Sequence, residues 1–527
     1  MKRLLAVTLG ILTAIGGFVD IGDLVANSEA GARFGMRLAW VVVVGVVGIC
    51  VYAEMCGRVA AVSRRPVFDL VRERLGPRVA LANLAGSYLV TLLTLSAEIG
   101  GVAIAIELAT SVHYLLWVPI AAFVLWVVIW RMKFEVMERV FGLAGLSLVV
   151  FVVALVALSP PWGELGGQVI SPSPPGGESW ATYGFFVVAL FAAAMTPYEV
   201  FFFSSGGVEE RWTRRDLITS RLNVFIGFPL GGLLSLAVMA TAAVVFEPIG
   251  VRVESLSQTA LPVAIALGKL GLAVVILGFF AATFGAALET GLSAGYTIAQ
   301  YFGWQWGKLV RPRDAARFHT VVVVSILLGV ALLLTTADPV MITEYSLVFS
   351  AVALPLTYLP ILVVANDRDY LGDQVNSRLT NALGVGYLVL ILIAAVAAIP
   401  LMVVTGVGGG PRTRTRCGST STSSTGRCST RTATSSARST TSSWRSATTA
   451  RPSWSRSTSD CTRSAPGSAA RSGGRWRPSR AACTPQVIRN RSGFRSASCR
   501  TSAVRSRCPC GTSCSIHRHW RSGCATT

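Results

Sequence analysis

Five carboxylates stand inside long apolar runs of this 527-residue sequence: Asp20, Asp23, Glu98, Glu199 and Glu289. A carboxylate at the centre of a bilayer costs about 2.5–3.5 kcal/mol even on insertion scales, so each is a functional candidate by default. No Lys or Arg within those runs neutralises them; Lys269 sits near a run's end, where its stem reaches the interface. Two of the runs are broken where the acids fall. The first contains Gly16-Gly17-Phe18-Val19-Asp20-Ile21-Gly22-Asp23, and the second Ala193-Ala194-Met195-Thr196-Pro197-Tyr198-Glu199. Glycine and proline free backbone groups, which at membrane depth must face protein, water or an ion. Uncompensated acidic oxygens beside unwound backbone suit a small cation rather than an anion or a neutral solute. Glu54, Glu107 and Glu138, near the ends of runs, read instead as ordinary hydrogen-bonded carboxyls.

The elements that must position these acids are transmembrane helices. The sequence is 52% hydrophobic and 14% charged, against about 25% charged for soluble domains. Runs long enough to cross about 30 Å of hydrocarbon fall near 4–30, 38–62, 79–109, 114–130, 136–158, 182–204, 222–246, 262–300, 319–336, 342–365 and 381–405, about 11 spans in all. Met1-Lys2-Arg3 ahead of an apolar run looks like a signal peptide, but no clean cleavage site follows, so a retained first helix is expected. Arginines gather in alternate loops: Arg58, Arg64, Arg65, Arg72, Arg74 and Arg78, then Arg131 and Arg139, Arg211–Arg221, Arg311–Arg317, Arg368 and Arg378. The other loops hold little more than Arg33, Arg37, Arg252 and Lys269. The positive-inside rule then makes the N-terminus cytoplasmic. Breaks at matching positions of spans 1 and 6 point to a secondary transporter of five-plus-five inverted repeats, with its substrate at the midplane and span 11 as an addition.

With these motifs in order, the sequence resembles the Nramp divalent-metal transporters. Asp20-Ile21-Gly22-Asp23 followed by Ala30-Gly31-Ala32-Arg33-Phe34-Gly35 is similar to the family's first helix, Asp-Pro-Gly-Asn then Ala-Gly-x-x-Phe-Gly. Ala97-Glu98 with Gly101-Val102-Ala103-Ile104-Ala105 resembles its third helix. Glu138–Leu143, Leu354-Pro355-Leu356, Pro360 and Asn366-Asp367-Arg368 resemble later segments, so the likeness covers about residues 5–405. It implies an all-α polytopic membrane protein with the LeuT-like fold, helices 1 and 6 broken, and a metal ion between the breaks. The implied ligand set is Asp20, Asp23, Ala193, Thr196 and Glu199, supported by Gly22, Pro197, Tyr198, Glu98 and Glu289.

The departures carry information. Where the family has Ala-x-x-Met-Pro-His in its sixth helix, this sequence has Ala193, Thr196, Pro197 and Tyr198, so the soft thioether ligand is absent. Asp23 replaces an amide, and Glu199 adds another hard oxygen. Such a site moves away from softer transition metals towards the harder ions that oxygen ligands suit, Mg²⁺, Ca²⁺ and Mn²⁺. The family's proton relay positions align with Leu95 and Tyr198, and Thr320–Leu334 contains no Arg, so only Glu98 of the relay remains. A passive facilitator is expected rather than a proton symporter. No cofactor, nucleic acid or obligatory protein partner is expected, only the metal substrate and membrane lipid, in an inner (plasma) membrane of bacterial type.

The charge resolves by segment. Up to Gly410 there are 25 Lys and Arg against 25 Asp and Glu; beyond it there are 22 Arg and one acid, Asp460. Residues 1–410 are the transmembrane domain. Residues 411–527, rich in Arg, Ser and Thr and holding nine of the 11 cysteines, form a tail without apolar periodicity. Its composition reads as an out-of-frame translation of a GC-rich gene, or else as a disordered segment. A nucleic-acid-binding tail is a rival reading, as is a zinc knuckle at Cys508, Cys510, Cys514, His517 and His519. A same-fold amino-acid or other organic-solute transporter is the nearest rival for the body. A membrane enzyme lacks a motif, since the body has only His113 and His319 and no HExxH or GxSxG.

Overall fold

The computed structural model describes residues 18–132, 134–335 and 338–406, with two short strands in the tail. Seventeen α-helices make up the described body. They are α1 (Ile21–Phe34), α2 (Ala39–Ser63), α3 (Val67–Thr110), α4 (Tyr114–Arg131), α5 (Phe134–Gly145), α6 (Val150–Ala157), α7 (Trp162–Val169) and α8 (Trp180–Ala194). The second part holds α9 (Pro197–Glu209), α10 (Leu217–Leu222), α11 (Phe228–Phe246), α12 (Leu256–Thr259), α13 (Leu261–Phe302), α14 (Ala316–Leu334), α15 (Pro339–Ala365), α16 (Arg368–Leu371) and α17 (Arg378–Thr405). Among the described residues, 10 helical stretches are long and apolar enough to cross a membrane, the first of them joining α1 to α2. Spans 2 to 11 of the sequence reading each coincide with one. The first half of span 1, with Gly16 and Gly17, lies outside the described residues. The protein is an integral membrane protein, all-helical through its body.

Two helices are longer than their spans. As a straight rod α3 would reach about 66 Å, twice the hydrocarbon thickness. It bends at Gly76, whose φ of 83° no ordinary side chain tolerates well, just before Pro77. The piece before the bend, 67–75, carries Asp69, Arg72, Glu73 and Arg74, and hydropathy alone hides it. Gly268 (φ 65°) divides α13 in the same way. The exposed face of α17, with Val389, Val396 and Val403, is the kind of surface that lipid covers.

Inside, α3 lies along α13 and α15, and α1 lies along α11. Small residues set these approaches, as is usual between membrane helices. A Cβ on Gly101 would stand 2.8 Å from Thr283 Cγ2 and 2.9 Å from Ile21 Cδ1. A Cβ on Gly31 would strike the Met239 carbonyl.

The ion pairs sort by end. At one end Arg33 bonds Glu178 at 3.0 Å and Glu29 at 3.2 Å, Arg37 bonds Glu247 at 2.9 Å, and Arg252 reaches Glu178. At the other, Glu54 binds Arg58 and Arg221, Arg65 binds Asp69, and Arg74 binds Asp367 at 2.8 Å. Loops assigned to one side by their arginines are thus in mutual contact. Arg33 and Arg58 correct one expectation, because both are buried cations on helices that cross the membrane. Each is already paired, so neither neutralises the acids at the breaks.

In the tail, Gln486–Arg489 pairs antiparallel with Arg495–Ser498, placing Val487 opposite Ala497. The reading of 411–527 as disordered or out of frame otherwise lies outside the described residues, and so do the nucleic-acid and zinc alternatives.

Candidate functional site

Helix α1 begins because Asp20 caps it. Asp20 is extended (φ −97°, ψ 179°), and its Oδ1 accepts the backbone N–H of Asp23 at 2.7 Å. Such a cap satisfies one of the free donors at a helix start, and its negative charge suits the positive end of the dipole. The other break is made by Pro197. Helix α8 stops at Ala194, Met195 and Thr196 are non-helical, and Pro197 opens α9. Proline at position i+4 from Ala193 has no N–H, so the Ala193 carbonyl loses its helical partner.

Side chains join the two breaks. The Tyr198 hydroxyl donates to Asp20 Oδ2 at 3.2 Å, and Thr196 Oγ1 donates to Glu199 Oε2 at 3.3 Å. Glu98, on α3, accepts the Ile21 N–H at 3.0 Å and so grips the start of α1 from the side. Asp23 is held by Asn27 Nδ2 at 2.8 Å and by the Ser235 hydroxyl of α11. Tyr198 also lies within electrostatic reach of Glu98, Glu199 and Glu289, and its carbonyl accepts from Ser293 on α13. Every one of these acids is at least nine-tenths buried. Gly22 lies where a Cβ would sit 3.1 Å from Asp20 Oδ1, so the small residue leaves room for that cap.

The chemistry on offer is oxygen. Glu199 Oε1 and Glu98 Oε2 are buried without a hydrogen-bond partner, and an unpaired buried acceptor is costly. The sulfur of Met195 lies against α2, 2.7 Å from where a Gly48 Cβ would be. Among the described residues no three His, Cys, Asp or Glu side chains converge closely enough to hold an ion by themselves. An ion between the breaks would therefore need backbone and hydroxyl oxygen beside the carboxylates. Leu347 and Thr343, which abut Gly22, also line a cavity of about 20 Å³ with Glu29 and Glu344. That is room for about one water.

Of the residues singled out from sequence, Asp20, Asp23, Gly22, Ala193, Thr196, Pro197, Tyr198, Glu98 and Glu199 all lie at or against the two breaks. Glu289, on α13, is buried within reach of Tyr198. Sequence reading missed Asn27 and Ser235. Asn27 had a signal, standing one helical turn beyond Asp23; Ser235, 212 residues away, had none.

Helices broken at two facing points around buried acids define a secondary transporter with inverted repeats. The chain belongs to the natural resistance-associated macrophage protein-like (Nramp) family, whose model matches residues 10–400. Among solved structures it is similar to the Eremococcus coleocola manganese transporter, at 18% identity and a TM-score of 0.60, covering 78% of this chain and 89% of that one. It also resembles a nucleobase-cation-symport-1 family transporter in a closed conformation, at 16% identity and TM-score 0.50, covering 76% and 92%. MhsT in complex with L-phenylalanine matches at 15% identity and TM-score 0.51, covering 75% and 97%. These likenesses establish the LeuT-like fold.

Proposed function

We propose that this protein moves divalent metal cations across a membrane, holding one ion at the midplane between the breaks and exposing it alternately to either side. The observation that carries this reading is the clustering of Asp20, Glu98, Glu199 and Asp23 around two unwound segments, with two buried carboxylate oxygens left unpartnered. The manganese transporter's likeness supports the same class of cargo. Asp20, Asp23, Thr196 and Glu199 would supply side-chain oxygen and Ala193 its carbonyl. Gly22, Pro197 and Tyr198 would shape the breaks, with Glu98 and Glu289 behind them.

Oxygen donors without sulfur favour hard ions, so selectivity shifts towards Mg²⁺ and Mn²⁺ over Fe²⁺ or Cd²⁺. A partly hydrated ion suits Mg²⁺, which dehydrates reluctantly. Transport is uncoupled from protons: Leu95 and Tyr198 occupy the aligned relay positions, and no basic residue follows within Thr320–Leu334. The N-terminus and the arginine-rich loops face the cytoplasm, supported by the gathering of those loops at one end. An amino-acid substrate would place its own carboxylate among four acids, which argues against that reading despite the shared fold. Uptake into proteoliposomes, with Mg²⁺, Mn²⁺, Fe²⁺ and Cd²⁺ in competition, tests the assignment. Absence of uptake of any divalent ion would overturn it.

A further inference from the structure

We infer that the arginine-lined pocket between the end of α2 and the start of α10 binds a phosphate group, supplied by an anionic phospholipid of the adjoining leaflet. The pocket has a volume of about 420 Å³ and is lined by Ala61, Val62, Arg64, Thr213, Arg214 and Arg215. That volume lies within the range of small-ligand sites, roughly 300–1,000 Å³. Arginines on the positive side of a membrane protein are commonly solvated one by one. Here three converge on a single cavity. None of the three enters an ion pair among the described residues, whereas their neighbours Arg65 and Arg221 do.

The next acid along the chain does not serve them. Asp216 is turned back onto Thr213, accepting its N–H at 2.9 Å and its hydroxyl at 2.8 Å in a capping box. Three guanidinium groups around one cavity repel one another unless an anion sits among them. Arginine's planar fork matches the paired oxygens of a phosphate better than any other side chain. The source of the phosphate follows from what lies beside the pocket. Ile218, Leu222, Phe225 and Ile226 are exposed and fall at helical spacing, forming an apolar stripe that starts three residues after Arg215. A lipid with its headgroup on the arginines can lay its acyl chains along that stripe. A free phosphate would use the arginines alone.

Direct titration of the purified full-length chain in neutral detergent tests this. Short-chain phosphatidylglycerol, phosphatidylcholine of the same chain length, and inorganic phosphate are compared as probes. Phosphatidylglycerol should bind with at least about tenfold higher affinity than either of the other two, the equivalent of one charge-assisted contact. The triple variant Arg64→Gln/Arg214→Gln/Arg215→Gln should lose that preference. Arg311→Gln/Arg313→Gln, which removes two exposed arginines elsewhere, should keep it and so separates the pocket from general positive charge. All three pocket arginines are exposed, and an unchanged melting curve verifies that the triple variant folds. Inorganic phosphate binding as tightly as the lipid, and lost in the triple variant, would keep the phosphate site but overturn the lipid as its source. Equal binding of phosphatidylcholine would overturn the anionic lipid as the occupant, and a preference for phosphatidylglycerol that survives in the triple variant would overturn the site.

Discussion

The hydroxyl of Tyr198 donates to Asp20 Oδ2 at 3.2 Å, tying the first helix break to the second across 178 residues. It occupies an oxygen that an ion between the breaks would want. Tyr198→Phe removes the competing donor while keeping the ring in its buried place. Metal uptake should then show a KM lower by about two- to tenfold, the worth of one ordinary hydrogen bond. A raised KM would mean that the tyrosine orients Asp20 instead of competing for it.

Asp20 itself should be indispensable. Asp20→Asn keeps the size and can still cap α1, because Asn is as good an N-cap as Asp. Expression and melting temperature should therefore hold while divalent uptake disappears. Wild-type uptake rates in this variant would remove Asp20 from the ion site.

Selectivity should respond to residue 196. Thr196→Met puts a thioether where the hydroxyl now meets Glu199, and soft sulfur prefers Cd²⁺ or Fe²⁺ to Mg²⁺. Competition profiles should shift in that direction; an unaltered profile would show that residue 196 does not touch the ion.

Ser235→Ala tests the support behind the site. It strips Asp23 of a buried donor, and such a loss costs about 1–3 kcal/mol. A lowered melting temperature that metal partly restores is the expected result. A melting curve identical to wild type, with and without metal, would show that the contact is idle.

Proton coupling can be read directly. Proteoliposomes carrying an internal pH dye should take up Mn²⁺ or Mg²⁺ without acidifying. Metal-driven acidification that vanishes in Glu98→Gln would reverse the reading and identify that glutamate as the carrier.

What the sequence makes legible depends on distance along the chain. Asp20 with Gly22, and Thr196 with Pro197, announce the breaks because glycine, proline and a carboxylate each work against a continuous apolar helix. The grip of Glu98 on the Ile21 N–H joins residues 77 apart, and nothing local in either segment specifies it. Arg33 reads as a loop cation because charge is assigned by sequence neighbours. Its burial depends on Glu178, 145 residues away, and on the Phe186 ring beneath its guanidinium. The helical piece before Gly76 is invisible to hydropathy because of its charges, whose pairing with one another and with Asp367, the cap of α16, only the fold shows.

The kink residue of the second break has a consequence for how this protein can vary. A ligand that is a side chain is lost by one substitution at its own position. The Ala193 carbonyl belongs to the backbone, so replacing Ala193 with any other residue except one that disturbs packing leaves that oxygen in place. Its availability is decided four residues away, by Pro197, which withholds the N–H that would otherwise close the helical turn. In the proposed site, variation at Asp23, Thr196 and Glu199 would retune which ion is preferred while the Ala193 oxygen stays constant. That oxygen is kept open by a missing hydrogen atom.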